Sequence, residues 1–187
     1  MAKHLSEFVS NYQEEIMKTL VIYFSRTGEN YVNGKTVFIE KGNTQLVAEL
    51  IGEAAGADLF QIERVPDYPE DYMECTKVAR EEMKTNARPE LREYLKDVSE
   101  YENIVAAFPC WWGNCPNVML SQLEKLDLRG KKIFPVITHE GSGAGKSEKT
   151  LKKACKGAKV MKALAIHGGE AVDSEEMIKA WARANLK

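Results

Sequence analysis

Apolar and polar positions alternate between two spacings along most of this chain. Thr19–Phe24 (TLVIYF) is an unbroken β-rich apolar run, the pattern of a strand covered on both faces. Residues 44–55 (TQLVAELIGEAA) then place Leu46, Val47, Leu50 and Ile51 on one helical face, and Gly56 stands where a C-terminal cap belongs. Asp58–Glu63 (DLFQIE) reads as a second strand, residues 70–84 as a helix, and Glu102–Phe108 (ENIVAAF) as a third strand. Pro116 opens a helix bearing Leu120, Leu123 and Leu126, since proline suits a first turn. Lys132–Thr138 (KIFPVIT) reads as a fourth strand, Ser147–Cys155 as a helix and Lys159–Ile166 (KVMKALAI) as a fifth strand. Asp173 and Glu176 have capping-box spacing and open a last helix with Ile178 and Trp181.

Strands alternating with helices predict an α/β, doubly wound domain whose parallel sheet is covered on both faces. Ligands in such folds bind beyond the carboxyl ends of the strands, at the switch point in strand order. The loops after strands one, three, four and five are therefore where chemistry is expected. One insertion interrupts this plan. Within residues 29–42 (ENYVNGKTVFIEKG), Asn33-Gly34 separates Tyr31-Val32 from Thr36-Val37-Phe38-Ile39. Asn-Gly between β-rich runs signals a β-hairpin. Its role is read equally as a surface decoration or as a lid or docking edge. Leu5, Phe8, Val9, Tyr12 and Ile16 fall at helical spacing, so residues 1–16 read as an N-terminal extension and residues 17–187 as the domain.

Composition narrows the classes. With 187 residues, 44% hydrophobic and 29% charged, the chain suits one α/β domain with a real core. No apolar run approaches the ~20 residues that span a bilayer. The first residues lack the n-region and h-region of a secretory signal, so a cytoplasmic protein with no membrane partner is expected. Cys75, Cys110, Cys115 and Cys155 form no CxxC pair and no zinc-spaced Cys/His cluster. They read as free thiols, with no metal site. The net charge is −2, and the one Lys and three Glu of residues 1–16 account for it. The domain itself has no basic excess to neutralise phosphates, which argues against nucleic acid.

Three loops carry candidate chemistry. After strand one come Ser25, Arg26, Thr27 and Gly28, and past the insertion Asn43 and Thr44 lead into the first helix. Hydroxyls and backbone N–H groups at a helix start suit a phosphate; a polar turn with an N-cap explains the same residues. After strand three come Pro109, Cys110, Trp111, Trp112 and Gly113. Adjacent tryptophans in a loop offer a broad π surface to a flat aromatic ligand. After strand four come Thr138, His139, Glu140, Gly141, Ser142 and Gly143, a small-residue loop rich in exposed backbone N–H groups. The stretch Glu140–Ser147 (EGSGAGKS) is one glycine short of a nucleotide P-loop. It follows the fourth strand rather than opening the fold, and no later apolar strand ends in an Asp for the metal, so it is the weaker reading.

The three loops in order, together with Asp67-Tyr68-Pro69-Glu70-Asp71-Tyr72, resemble the flavodoxin-like family from residue 17 to the end. The resemblance implies a five-stranded parallel sheet of order 2-1-3-4-5. It implies non-covalent FMN, with Ser25, Thr27, Gly28, Asn43 and Thr44 on its phosphate and Arg26 contributing mainly its backbone N–H. Pro109 to Gly113 would flank the isoalloxazine, with Trp112 or Trp111 stacked on it. Thr138, His139, Gly141, Ser142 and Gly143 would border its pyrimidine end. A backbone carbonyl near Gly113 would accept from reduced flavin and stabilise a semiquinone. The implied function is an electron carrier cycling between oxidised, semiquinone and reduced flavin. It needs no catalytic side chain, and its partners are redox proteins. The rival within flavin chemistry is an NAD(P)H-dependent quinone or azo reductase acting on a small quinone-like substrate.

Overall fold

In the computed structural model, which describes residues 18–186, the elements run in the following order. They are β1 (Thr19–Tyr23), β2 (Gly28–Val32), β3 (Lys35–Ile39), α1 (Asn43–Ala55), β4 (Asp58–Gln61), β5 (Arg64–Val65), α2 (Tyr72–Thr85) and β6 (Glu90–Leu91). Then follow β7 (Asn103–Pro109), α3 (Asn117–Leu123), β8 (Lys132–His139), α4 (Ser147–Ala154), β9 (Lys159–Val160), β10 (Leu164–His167) and α5 (Glu175–Leu186). The expected extension, residues 1–16, lies outside the described residues. No described helix is long and apolar enough to cross a membrane.

The central sheet has the order β10-β8-β7-β1-β4, and every pair in it is parallel. In order of the five expected strands this is 2-1-3-4-5. Strand alternation divides the core in two. Leu20, Ile22, Ile104, Ala106, Phe108, Ile133 and Ile137 point to one face, where Val118, Met119 and Leu123 of α3 and Leu151 of α4 cover them. Val21, Tyr23, Val105, Ala107, Phe134 and Val136 point to the other, under Val47, Ala48 and Ile51 of α1 and Ile178 and Ala182 of α5. Each face is sealed by apolar helix stripes, so the polar chemistry is confined to the sheet's ends.

The fifth strand corrects the sequence expectation. Lys159–Ile166 is not one strand; it splits into β9 and β10, both paired to β8. The cause is Pro135. Lys159 and Met161 donate their N–H groups to the carbonyls of Lys131 and Ile133, so odd residues of β8 face this neighbour. Pro135 faces the same way without an N–H to give. The chain lifts off opposite it, and the Ala163 N–H turns to Glu148 Oε1 at 2.9 Å.

Other boundaries shift by less. Pro116 caps α3 from outside instead of entering its first turn, and the helix ends before Leu126. Helix α2 starts at Tyr72, capped by the Asp71 side chain, which accepts from the Glu74 N–H at 2.8 Å. The last helix starts at Glu175, so Asp173 stands two residues ahead of it. The short antiparallel pair β5–β6 has no counterpart among the expected elements. The inserted hairpin forms as expected: β2 and β3 pair antiparallel from Gly28↔Ile39 to Val32↔Lys35. Asn33 and Gly34 both take positive φ, 50° and 82°, as a tight two-residue turn requires.

Candidate functional site

The loop after β1 is interrupted by the hairpin, so its two halves must meet again for a phosphate site to exist. They do, at Gly42. A Cβ there would lie 2.2 Å from Ser25 Oγ and 2.6 Å from the Arg26 carbonyl oxygen, so only glycine permits this approach. The Gln45 N–H donates to Ser25 Oγ at 3.0 Å, which leaves the serine's own proton free to donate. The Thr44 hydroxyl pairs with that of Thr138 at 2.7 Å, tying the start of α1 to the end of β8. No acid occupies the first turn of α1, so its positive end is uncompensated. Arg26 does not supply a free cation. Its guanidinium donates to the backbone carbonyls of Glu29, Pro69 and Glu70 and clamps the loop to the segment before α2.

The tryptophans fall on a tight turn. Trp111 and Asn114 exchange backbone hydrogen bonds at 3.0 Å, with Trp112 and Gly113 between them at φ of 51° and 70°. The turn sends the two rings different ways. Trp111 packs edge-on against Phe24 and Tyr68, with centroids 5.2 and 5.0 Å away. Trp112 stays 48% exposed at the cavity rim. Its Nε1–H donates to the Thr76 carbonyl at 3.2 Å, and the Arg80 guanidinium lies over its ring. The loop after β8 braces this turn from behind. The Lys146 N–H donates to the Gly113 carbonyl at 2.8 Å, and a Cβ on Gly145 would fall 2.1 Å from that oxygen. The Gly113 carbonyl thus has a protein donor on one of its two lone pairs. The same bond shows how Glu140–Ser147 is used. Its backbone walls in the tryptophan turn, and Ser147 is wholly buried.

The hairpin reaches across the site. Glu140 accepts from the Asn33 N–H at the hairpin tip (2.9 Å) and from the Gly169 N–H beyond β10 (3.0 Å). At the hairpin's base, the Tyr72 N–H donates to Glu29 Oε2 at 3.1 Å; nearer its tip, the Tyr31 ring stacks on that of Tyr72 with centroids 6.0 Å apart. The insertion is therefore fastened at both ends, although β3 keeps an exposed outer face.

Between these pieces lies a cavity of about 260 Å³. Ser25, Arg26, Asn43 and Thr44 line it from the first loop, Pro109, Cys110, Trp111 and Trp112 from the second, and Thr138 and His139 from the third. Thr27 and Gly28 instead face a neighbouring cavity of about 380 Å³ on the other side of their loop. Gly113, Gly141, Ser142 and Gly143 lie off both walls. Sequence reasoning did not find Asn30, Tyr31 and Ile39 of the hairpin, nor Tyr72, Cys75, Thr76 and Ala79 of α2, which complete the wall with Glu140 and Gly168. The Asp67–Tyr72 stretch leading into α2 was the available signal for that helix.

Burial sets the electrostatics. It pushes His139 below the ordinary imidazole value, and His167, with ring centroids 5.8 Å apart, pushes the same way. His139 Nδ1 accepts from the Gly141 N–H at 3.0 Å, so its neutral ring carries the proton on Nε2. Burial also raises the Cys75 thiol to about 11, which keeps it protonated beside the cavity. All four cysteines are free thiols, and no group of three or more potential metal-ligating residues occurs among the described residues.

The fold has counterparts. A family model described as Flavodoxin matches residues 18–185. A crystal structure from Bacteroides uniformis ATCC 8492, assigned as a flavoprotein, is 28% identical with a TM-score of 0.70, covering 88% of this chain and 97% of that one. One from Bacteroides eggerthii DSM 20697, assigned likewise, is 26% identical with a TM-score of 0.70, covering 89% and 96%. A Lactobacillus acidophilus NCFM flavoprotein in complex with FMN shares the fold at 20% identity and a TM-score of 0.57, covering 86% and 99%. No curated protein matches. The chain belongs to the flavodoxin family.

Proposed function

We propose that this protein binds FMN non-covalently in the cavity between the loops after β1, β7 and β8, and that it carries electrons between partner proteins. One observation carries the reading. A polar end built from a helix N-terminus and the free Ser25 hydroxyl meets an aromatic end built from Trp112, Tyr31 and Tyr72, within a single cavity. A phosphate and a flat ring joined by a short chain fit those two ends.

The donor set suits a phosphate without a cationic partner. Ser25 gives its hydroxyl proton, and the N–H groups opening α1 add the helix dipole. Trp112 is the ring with a free face at the rim, because Trp111 is spent on Phe24 and Tyr68. His139 Nε2–H supplies a donor from the end of β8. The hairpin, held by Glu140, closes part of the cavity wall with Asn30, Tyr31 and Ile39. When bound, FMN supplies the redox chemistry and the protein tunes it. Burial raises the Tyr72 hydroxyl and the Cys75 thiol beside the ring end, so neither gives up its proton readily at neutral pH, which supports a carrier over an enzyme that protonates its substrate.

The purified protein tests this directly. Equimolar flavin, freed by heating and identified as FMN, is the expected result. Colourless protein that takes up no added FMN would refute the reading. Steady NAD(P)H oxidation with a quinone acceptor would replace the carrier with the reductase. Passage of electrons from reduced protein to a haem protein, without NAD(P)H turnover, supports the carrier.

A further inference from the structure

We propose that the outer face of α4 and the segment after it form a docking surface for an acidic partner protein. Between Gly141 and Lys162 the chain holds seven lysines (146, 149, 152, 153, 156, 159 and 162) and one acid, Glu148. The stretch carries +6 in a chain whose net charge is −2, so the remainder carries −8. Lys149, Lys152, Lys153 and Lys156 fall at i, i+3, i+4 and i+7, on the side opposite buried Leu151 and Cys155. All seven lysines are exposed. Glu148 is the one acid among them; its Oε1 accepts from the Ala163 N–H, and among the described residues it forms no ion pair with these lysines.

Clustering without pairing distinguishes this face. Elsewhere many cations find acids, as Lys18 does with Glu100, Lys41 with Glu49, Arg64 with Glu82, Arg88 with Glu124, and Lys179 with Glu53 and Glu175, and those that do not, such as Lys35, Lys96 and Lys125, are scattered along the chain. Among the described residues, none of the seven lysines has an ion-pair partner. The helix dipole favours Lys152 and Lys153 in its last turn but disfavours Lys146 and Lys149 at its N-terminal end, and like charges at i, i+3 and i+4 repel. An external anionic surface would relieve that repulsion.

Position and charge together select the occupant. The Lys146 N–H is bonded to Gly113, and the Thr150 hydroxyl to Asn114 Oδ1 at 2.8 Å, so α4 starts against the tryptophan turn at the cavity rim. A partner on this face would approach that turn. The acidic excess elsewhere repels a polyanion that extends past the lysines, so a compact acidic patch on a protein fits better than nucleic acid or a lipid surface. The redox character of the partner rests on the electron-carrier reading; the docking itself does not.

The test uses the full chain without flavin, so that failure of FMN binding and failure of docking are read apart. The probe is cytochrome b5, an acidic haem protein, with binding followed by interferometry at low and high salt. Salt-sensitive binding is expected. It should weaken at least about tenfold in Lys149→Glu/Lys152→Glu/Lys153→Glu and less in the matching Lys→Gln variant, with unchanged circular dichroism. Should the Glu variant not fold, the Gln variant decides: unchanged binding by it overturns the proposal. So does equal binding by a folded Glu variant, absence of wild-type binding, or a preference for basic cytochrome c. Tighter binding to a short DNA duplex or to phosphatidylserine vesicles overturns the assignment to a protein partner.

Discussion

Adjacent residues in this protein divide their labour, and Trp111 and Trp112 do so most clearly. Trp111 is part of an aromatic cluster, while Trp112 is half outside. Trp111→Ala should cost about 3 kcal/mol of stability, as buried aromatic deletions do, in a denaturant melt. Trp112→Ala should leave the melt nearly unchanged and weaken FMN binding about tenfold, the loss of one aromatic stack, in a fluorescence titration. Gly42 carries a different load. Gly42→Ala forces a methyl group into Ser25 Oγ and should cost about 2 kcal/mol, with FMN affinity falling alongside. His139 makes a pH prediction. Its folded-state value lies below the ordinary 6.5, lowered by burial and then by His167, although Glu140 and Glu170 pull upward. The unfolded chain therefore takes up the proton first. Stability should be full above about pH 6.5 and fall as pH drops through the folded value. His139→Gln should flatten that fall in thermal melts recorded across the window.

Among the elements, the inserted hairpin links the most parts of the site. Glu140 joins its tip to the turn after β10, and Glu29 joins its base to α2. Glu140→Ala should release the tip and speed FMN dissociation several-fold, measured by stopped-flow dilution, with Glu140→Gln intermediate because an amide oxygen can keep one of the two bonds. The hairpin was legible from Asn33-Gly34 because its turn is local chemistry. Its docking was not, since Asn33 and Glu140 are 107 residues apart and nothing in either neighbourhood names the other. The fifth strand failed for a related reason. KVMKALAI is β-rich, but whether it can pair along its length depends on Pro135 in the neighbouring strand. Ten of the sixteen candidate residues share the cavity because the order of loops in an α/β fold fixes where they meet. The walls from α2 and the hairpin come from tertiary packing, which no local pattern records.

At the scale of the molecule, apolar strands sealed by helices on both faces put the cavities at the carboxyl ends of the strands, and the one that joins a helix N-terminus to aromatic rings lies beyond β1, β7 and β8. That constraint fixes where a bound flavin must lie. A crystal structure of the protein grown with FMN should place the phosphate against the Ser25 hydroxyl and the first N–H groups of α1, with the ring beside Trp112 and the hairpin closed through Glu140. A flavin bound elsewhere, or its ring end at Ser25 and its phosphate at Trp112, would contradict the account.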